Sequence, residues 1–243
     1  LNPNIDDFEL AFLFPFKTIA KKITYAASTG NASPDDIRKI QHYLDDFVKI
    51  SIREQKDIGK FDAKIAARLS VVCDPVMLLR ADAWNNMMEH PSEKPYLICY
   101  FLHKKLFCKE FAIAQKIAKE RGLELKVINA RFGPNSFRKG TIFDAGPGEF
   151  VNLIANASYV CTDSFHGTLF SLVFHKQFSS LDTKQNLHDT RKKGLLESVG
   201  ATAAYQNVED TLKICSTLDY KEIDCRMEEI RKSAAKFLEI LDE

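Results

Sequence analysis

Asn156-Ala157-Ser158-Tyr159-Val160-Cys161-Thr162-Asp163-Ser164-Phe165-His166-Gly167-Thr168-Leu169-Phe170-Ser171 reads as a buried strand, a tight polar elbow and a helix. Tyr159 to Cys161 is a short apolar run of the kind that forms a parallel-sheet strand covered on both faces. Asp163 and Ser164 are residue types that cap helix N-termini. Leu169, Leu172, Val173 and Lys176 then follow at helical spacing. The elbow is expected to aim unpaired backbone N–H groups, a hydroxyl and an imidazole at one point, where an anion can sit. In an open α/β sheet, ligands bind just past the ends of the strands.

The same alternation of strand and helix runs outward in both directions and predicts an α/β fold with parallel sheets. Upstream, Ile23 to Ala27, Val48 to Ile52 and Leu69 to Cys73 read as strands. Ser33-Pro34-Asp35-Asp36 opens a helix with a cap, a first-turn proline and acids at the positive end. Ile37, Ile40, Leu44 and Phe47 form its apolar stripe, and a polar helix to about Arg68 follows the second strand. Residues 85–95 carry two prolines and no period, which predicts a domain linker. Tyr96 to Leu102 and Leu125 to Ile128 are strands around a helix whose buried face is Phe107, Phe111, Ala114 and Ala118, stopped by Gly122. Residues 131–146 read as a loop, and Pro147 opens a short helix. Downstream come a short strand at Phe178 to Leu181 and a helix from Leu187 to Val199. Ile223, Met227, Ile230, Ala234, Phe237 and Leu241 mark one long amphipathic tail helix.

The chain has 243 residues, enough for one large or two small domains with a real core. A net charge of +1 offers no bulk attraction to nucleic acid or an anionic membrane. The six cysteines, at 73, 99, 108, 161, 215 and 225, form no C-x-x-C pair and no Cys/His ligand spacing, so no metal site is expected. Three of them sit in apolar strand-like runs, as buried free thiols of a reducing, cytoplasmic compartment do. No apolar run reaches membrane-spanning length. The chain starts at Leu1, and a missing N-terminal portion is expected.

Five segments, in order, resemble the polysaccharide pyruvyl transferase family: Ile23-Thr24-Tyr25-Ala26-Ala27-Ser28-Thr29-Gly30, Ile50-Ser51-Ile52-Arg53-Glu54, Cys73-Asp74-Pro75-Val76-Met77-Leu78-Leu79 with Trp84, Gly146-Pro147-Gly148-Glu149-Phe150, and Thr162-Asp163-Ser164-Phe165-His166-Gly167-Thr168. The last is the most specific. The resemblance implies two Rossmann-like domains similar to the B-type glycosyltransferase fold, with the N-terminal domain truncated. It places a partial acceptor-side domain at residues 1–90, a donor-side domain at 91–218 and a tail helix at 219–243 packing across the interface. It also implies transfer of pyruvate from phosphoenolpyruvate to sugar hydroxyls, often as a cyclic ketal, on a surface polysaccharide or its precursor. Phosphoenolpyruvate would be a co-substrate, with no other cofactor, and the acceptor a glycan or lipid-linked sugar. Self-association into a homo-oligomer stays open. Characterised members tend to carry Arg-Leu-His where this chain has Ser164-Phe165-His166, so another cation must meet the donor, or the donor differs. A nucleotide-sugar glycosyltransferase and a non-catalytic glycan- or partner-binding homologue are the alternatives.

Ketal formation needs a proton at the methylene carbon, alcohol attack at C2 and departure of phosphate, hence an acid, a base and fixed positive charge. His166, in the first turn of a helix, is the expected acid–base residue. The helix dipole lowers an imidazole's pKa and a bound dianion raises it again. A ring that only caps the strand or bonds a loop carbonyl is the alternative. Asp163 either orients His166 or caps the helix. Gly167 would let the backbone approach the ligand closely, while Ser164 and Thr168 would donate hydroxyls or serve as helix caps. Arg53 would take the donor carboxylate bidentately or form a local ion pair. Gly30 lies in a turn after a strand that either lines the cleft or is a plain βα turn. Glu149 suits a helix N-terminus without any function, and would contact a sugar only by analogy. Asp74-Pro75 reads as a structural turn, and Arg191 and Lys192, near a helix start, either face the cleft or, the favoured reading, form a solvated face. His42, His90, His103, His175 and His188 show no ligand-set spacing.

Overall fold

In a computed structural model, residues 13–30, 32–87, 94–103, 106–128, 140–182, 191–210 and 217–239 are described. They form two compact units, Leu1–Leu78 with Met227–Glu243, and Leu79–Arg226. The expected linker at 85–95 falls partly outside the described residues, and Ala81–Met87, at its start, form a 3-10 helix.

The first unit carries a three-stranded parallel sheet of β1 (Lys22–Ile23), β2 (Phe47–Ile52) and β3 (Leu69–Val71), with β2 in the middle. α1 (Pro34–Ile40) starts as its sequence predicts. Ser33 accepts from the Asp36 N–H, and Asp36 answers in a capping box. It ends sooner than the apolar stripe suggests. Gln41–Asp46 tighten into a 3-10 helix and Phe47 opens β2. Asp45 and Asp46 would place two carboxylates at the negative end of a longer helix, which is unfavourable. The stripe residues Leu44 and Phe47 are buried all the same, in a cluster with Ile50 and Ile65. The expected polar helix to Arg68 is instead a 3-10 helix at Gln55–Lys60 and a single turn, α2 (Ala63–Ala66), capped by Asp62. α3 (Pro75–Leu78) follows the Asp74 turn.

The second unit is a doubly wound sheet. Its strands are β4 (Tyr96–Tyr100), β5 (Glu124–Ile128), β6 (Thr141–Ile142), β7 (Tyr159–Thr162), β8 (Phe178–Asp182) and β9 (Tyr205–Asn207). They pair in the order β6-β5-β4-β7-β8-β9, every pair parallel. The helices are α4 (Phe107–Arg121), α5 (Pro147–Ala155), α6 (Phe165–Val173) and α7 (Arg191–Val199). β4 and β7 are central and sealed on both faces. Leu97, Ile98 and Cys99 of β4 and Tyr159, Val160 and Cys161 of β7 are all fully buried, with Cys99 beside Cys161 in register. Burying each such large apolar side chain stabilises the fold by about 1.5–3 kcal/mol. α4 lays Phe111, Ala114, Ile117 and Ala118 on this sheet and stops at Gly122, whose φ of 64° is the left-handed cap that glycine accepts. α6 is buried from Gly167 to Val173, so it is a core helix rather than an amphipathic one. Cys99 and Cys161 are free thiols whose pKa values burial pushes well up, which leaves them inert.

The tail helix α8 (Tyr220–Glu239) forms as its period predicts, with Ile223, Met227, Ala234 and Phe237 buried. Its residues to Arg226 belong to the second unit and those from Met227 to the first. No described helix is long and apolar enough to cross a membrane.

Candidate active site at the sheet switch point

The strand order reverses between β4 and β7. Strands β5 and β6 are laid down on one side of β4, then β7, β8 and β9 on the other. A doubly wound sheet opens a crevice at such a point, beyond the carboxyl ends of the two strands. The segments that leave those ends are residues 101–103 after β4 and residues 163–166 after β7. The elbow read from the sequence therefore lies where the topology makes room for a ligand.

Within the elbow, most polar groups turn inward. Thr162 Oγ1 donates to the Tyr100 carbonyl at 2.6 Å and accepts the Ser164 N–H at 3.0 Å. Ser164 caps α6, its Oγ taking the Gly167 N–H at 3.3 Å. The Ser164 carbonyl takes both the N–H and the hydroxyl of Thr168, and that hydroxyl also bonds Ser180 Oγ at 2.8 Å. The amides of Ser164, Gly167 and Thr168 are thus engaged by the protein itself, and the expectation of unpaired N–H groups does not hold for these three. Ser164 and Thr168 act as cap and core. Gly167 is required for contact with its own strand: a Cβ there would lie 3.1 Å from Thr162 Cβ and closer still to its Oγ1. That close helix–strand packing is a use of glycine in dinucleotide-type folds.

His166 behaves differently. It sits in the first turn of α6 and is exposed, its ring edge-on to Phe165 at 5.6 Å. The Arg191 guanidinium lies 5.9 Å from the Phe165 ring centroid, a cation–π distance. A cation therefore stands next to the residue that precedes His166, although position 164 supplies none.

Asp163 does not hold His166. Its buried carboxylate accepts the Leu102 N–H at 2.7 Å, the His103 N–H at 2.8 Å and His103 Nδ1 at 2.6 Å. It thereby stitches the segment after β4 to the segment after β7 across the switch point. The hydrogen bond from His103, then the charge of Asp163, hold that imidazole above its ordinary pKa against partial burial. Sequence spacing missed His103 because its partner lies 60 residues away.

Two further buried groups complete the setting. Lys192, expected on a solvated face, is 1% exposed. Its ammonium donates to the carbonyls of Asp163 at 2.8 Å and Leu181 at 2.5 Å and lies 3.5 Å from the Asp182 carboxylate. Glu110 of α4 is fully buried, and neither carboxyl oxygen has a hydrogen-bond partner among the described residues. Burial, and then the charge of Asp163, push its carboxyl up to about 8 against the pull of Lys192. The folded protein then holds this proton more tightly than the unfolded chain does. Stability should fall as pH rises from the ordinary carboxyl range to about 8. Glu110→Gln should flatten that slope in denaturant unfolding across the window, and an unchanged slope would refute the assignment.

Arg53 and Gly30 belong to the first unit. Arg53 follows β2 and pairs with Glu54 at 3.1 Å and with Asp74, so the ion-pair reading describes it. Ser28 links the turn to this cluster, donating to Glu54 at 2.7 Å and accepting the Gly30 N–H at 3.1 Å. Gly30 has a φ of 56°, which explains the glycine. Asp74 also makes the expected turn, accepting the Val76 N–H at 3.0 Å. Glu149 is exposed in the first turn of α5.

The strand order defines an α/β protein of the doubly wound class. The chain belongs to the polysaccharide pyruvyl transferase family, whose model matches residues 1–185. A search of curated proteins found no sequence match. Among solved structures the chain is similar to a Listeria monocytogenes protein assigned as a UDP-N-acetylglucosamine 2-epimerase, at 12% identity and a TM-score of 0.47, over 82% of this chain and 56% of that one. It is also similar to UGT89C1 of Arabidopsis thaliana, solved with quercetin, at 11% identity and a TM-score of 0.42, over 90% and 60% of the two chains. UGT2 of Phytolacca americana, solved with UDP-2-fluoro-glucose and pterostilbene, is similar at 13% identity and a TM-score of 0.40, over 85% and 53%. The chain thus spans little more than half the length of these proteins.

Proposed function

We propose that this protein transfers pyruvate from phosphoenolpyruvate to hydroxyls of a sugar in a surface polysaccharide or its precursor. Family membership supports the reaction class. The observation that carries the reading is an exposed histidine in the first turn of α6, at the reversal of the parallel sheet. In this reading His166 is the acid–base residue, and Arg191, beside Phe165, supplies charge for the donor in place of an arginine at 164. Ser164, Gly167, Thr168 and the carboxylate of Asp163 shape the elbow from behind. Glu149, exposed in the first turn of α5, remains a candidate for a contact on the sugar side.

Ligand binding tests the donor directly. At a hundredfold excess over Kd, phosphoenolpyruvate should add about 2.7 kcal/mol of stability. For a chain of this size that raises Tm by about 5–10 °C. Nucleotide sugars should give no comparable shift. A shift with a nucleotide sugar and none with phosphoenolpyruvate would replace this reading by glycosyl transfer. Binding without turnover on any acceptor would favour a non-catalytic role.

A further inference from the structure

We propose that His103, held by Asp163, is a second acid–base residue of the switch-point site and the group that protonates the donor's methylene carbon. The proposal rests on the pyruvyl-transfer reading. One buried carboxylate takes both the backbone N–H and the ring Nδ1 of His103, so the residue is fixed at two points. That fixation is what a positioned proton donor requires. The ring itself is about half exposed, 46% by its side chain. With Nδ1 engaged, Nε2 is the nitrogen left to meet a ligand. His103 lies three residues past the end of β4, the strand that flanks β7, and His166 four residues past the end of β7, so both histidines stand on the segments that leave the two central strands.

The surrounding charges favour a protonated ring. His103 faces Asp163 directly, with Asp182 adding to the same sense and Lys192 opposing it. Glu110 lies behind, its ligand atoms within 4.8 Å of those of His103 and Asp163.

The division of labour balances. His103 Nε2–H gives its proton to C3 as the first sugar hydroxyl oxygen attacks C2, and that hydroxyl's proton passes to His166. The C2–O bond to phosphate then breaks, its electron pair leaving with phosphate, which takes the proton from His166. The second hydroxyl attacks C2 and returns a proton to His103. One hydroxyl proton ends in the new methyl group and the other on phosphate, and both histidines are restored.

The test is a pH profile of transfer with wild type and His103→Gln, alongside phosphoenolpyruvate binding by calorimetry and an NMR titration of the His103 ring. His103→Gln should bind phosphoenolpyruvate within about threefold and keep the wild-type Tm. Its turnover should fall by about 10²–10⁴-fold, with loss of the high-pH limb, because an acid catalyst stops working once it deprotonates. In wild type the ring should titrate above a free histidine, and Asp163→Asn should move that titration, and the limb, to lower pH. A His103→Gln enzyme active within threefold, beside an active wild type, overturns this proposal alone. A wild type that neither binds nor turns over phosphoenolpyruvate overturns the function reading and this proposal with it. Tight Zn²⁺ or Mn²⁺ binding lost in both His103→Gln and Glu110→Gln would make the cluster a metal site and overturn the dyad.

Discussion

His166→Ala is expected to cut pyruvyl transfer by about 10²–10⁴-fold while leaving Tm within about 2 °C of wild type. The two halves of that result have separate causes. The ring is exposed, so its removal opens no cavity and the transfer and cavity terms that make core truncations costly do not arise. The α6 cap is Ser164, which the substitution leaves in place, and Gly167 keeps its contact with Thr162. The proton transfer, by contrast, has no substitute at that atom. Steady-state rates with saturating phosphoenolpyruvate, paired with a melting curve, measure both. Transfer within tenfold of wild type would remove His166 from the chemistry. A large fall in Tm would mean that the ring is structural.

Lys192→Ala should be the most damaging substitution for stability, by about 3–5 kcal/mol. Removing the ammonium takes away a cation 3.5 Å from the buried Asp182 carboxylate and a donor from the carbonyls of Asp163 and Leu181. The Tyr205 hydroxyl also donates to the Asp182 carboxylate, at 3.1 Å. For a chain of this length the loss corresponds to a fall in Tm of about 6–20 °C. The elbow should loosen with it, because the lysine holds the Asp163 carbonyl. Equilibrium unfolding in urea gives the number, and a change below about 1 kcal/mol would show that water or a neighbour replaces the ammonium.

The contrast between these two residues shows how far sequence reasoning reached. The place of His166 at an exposed helix start is legible from its setting: a buried run, a cap and a helix start are all local patterns, and each forms where the spacing places it. Lys192 reads first as part of a solvated face, because a lysine near a helix start is ordinarily solvated. Its burial depends on β8 bringing Leu181 and Asp182 beside the Asp163 carbonyl, and no local pattern records that. The sequence marks Gly167 as a point of close backbone approach without naming the partner that the fold supplies. The approach is to Thr162, five positions back, on the strand the helix packs against. His103 was passed over for the same reason as Lys192, since its partner stands across a strand pair.

By itself, then, the sequence determined the α/β class, the parallel strands, the helix caps and the position of the elbow after β7. These follow from periodicity and capping, which act over a few residues. Only the tertiary structure decided that β4 and β7 are neighbours, that Asp163 serves His103 and that Lys192 is buried. Those facts depend on strand order, because hydrogen bonds and desolvation act between whatever groups the sheet brings into contact, however far apart they lie along the chain.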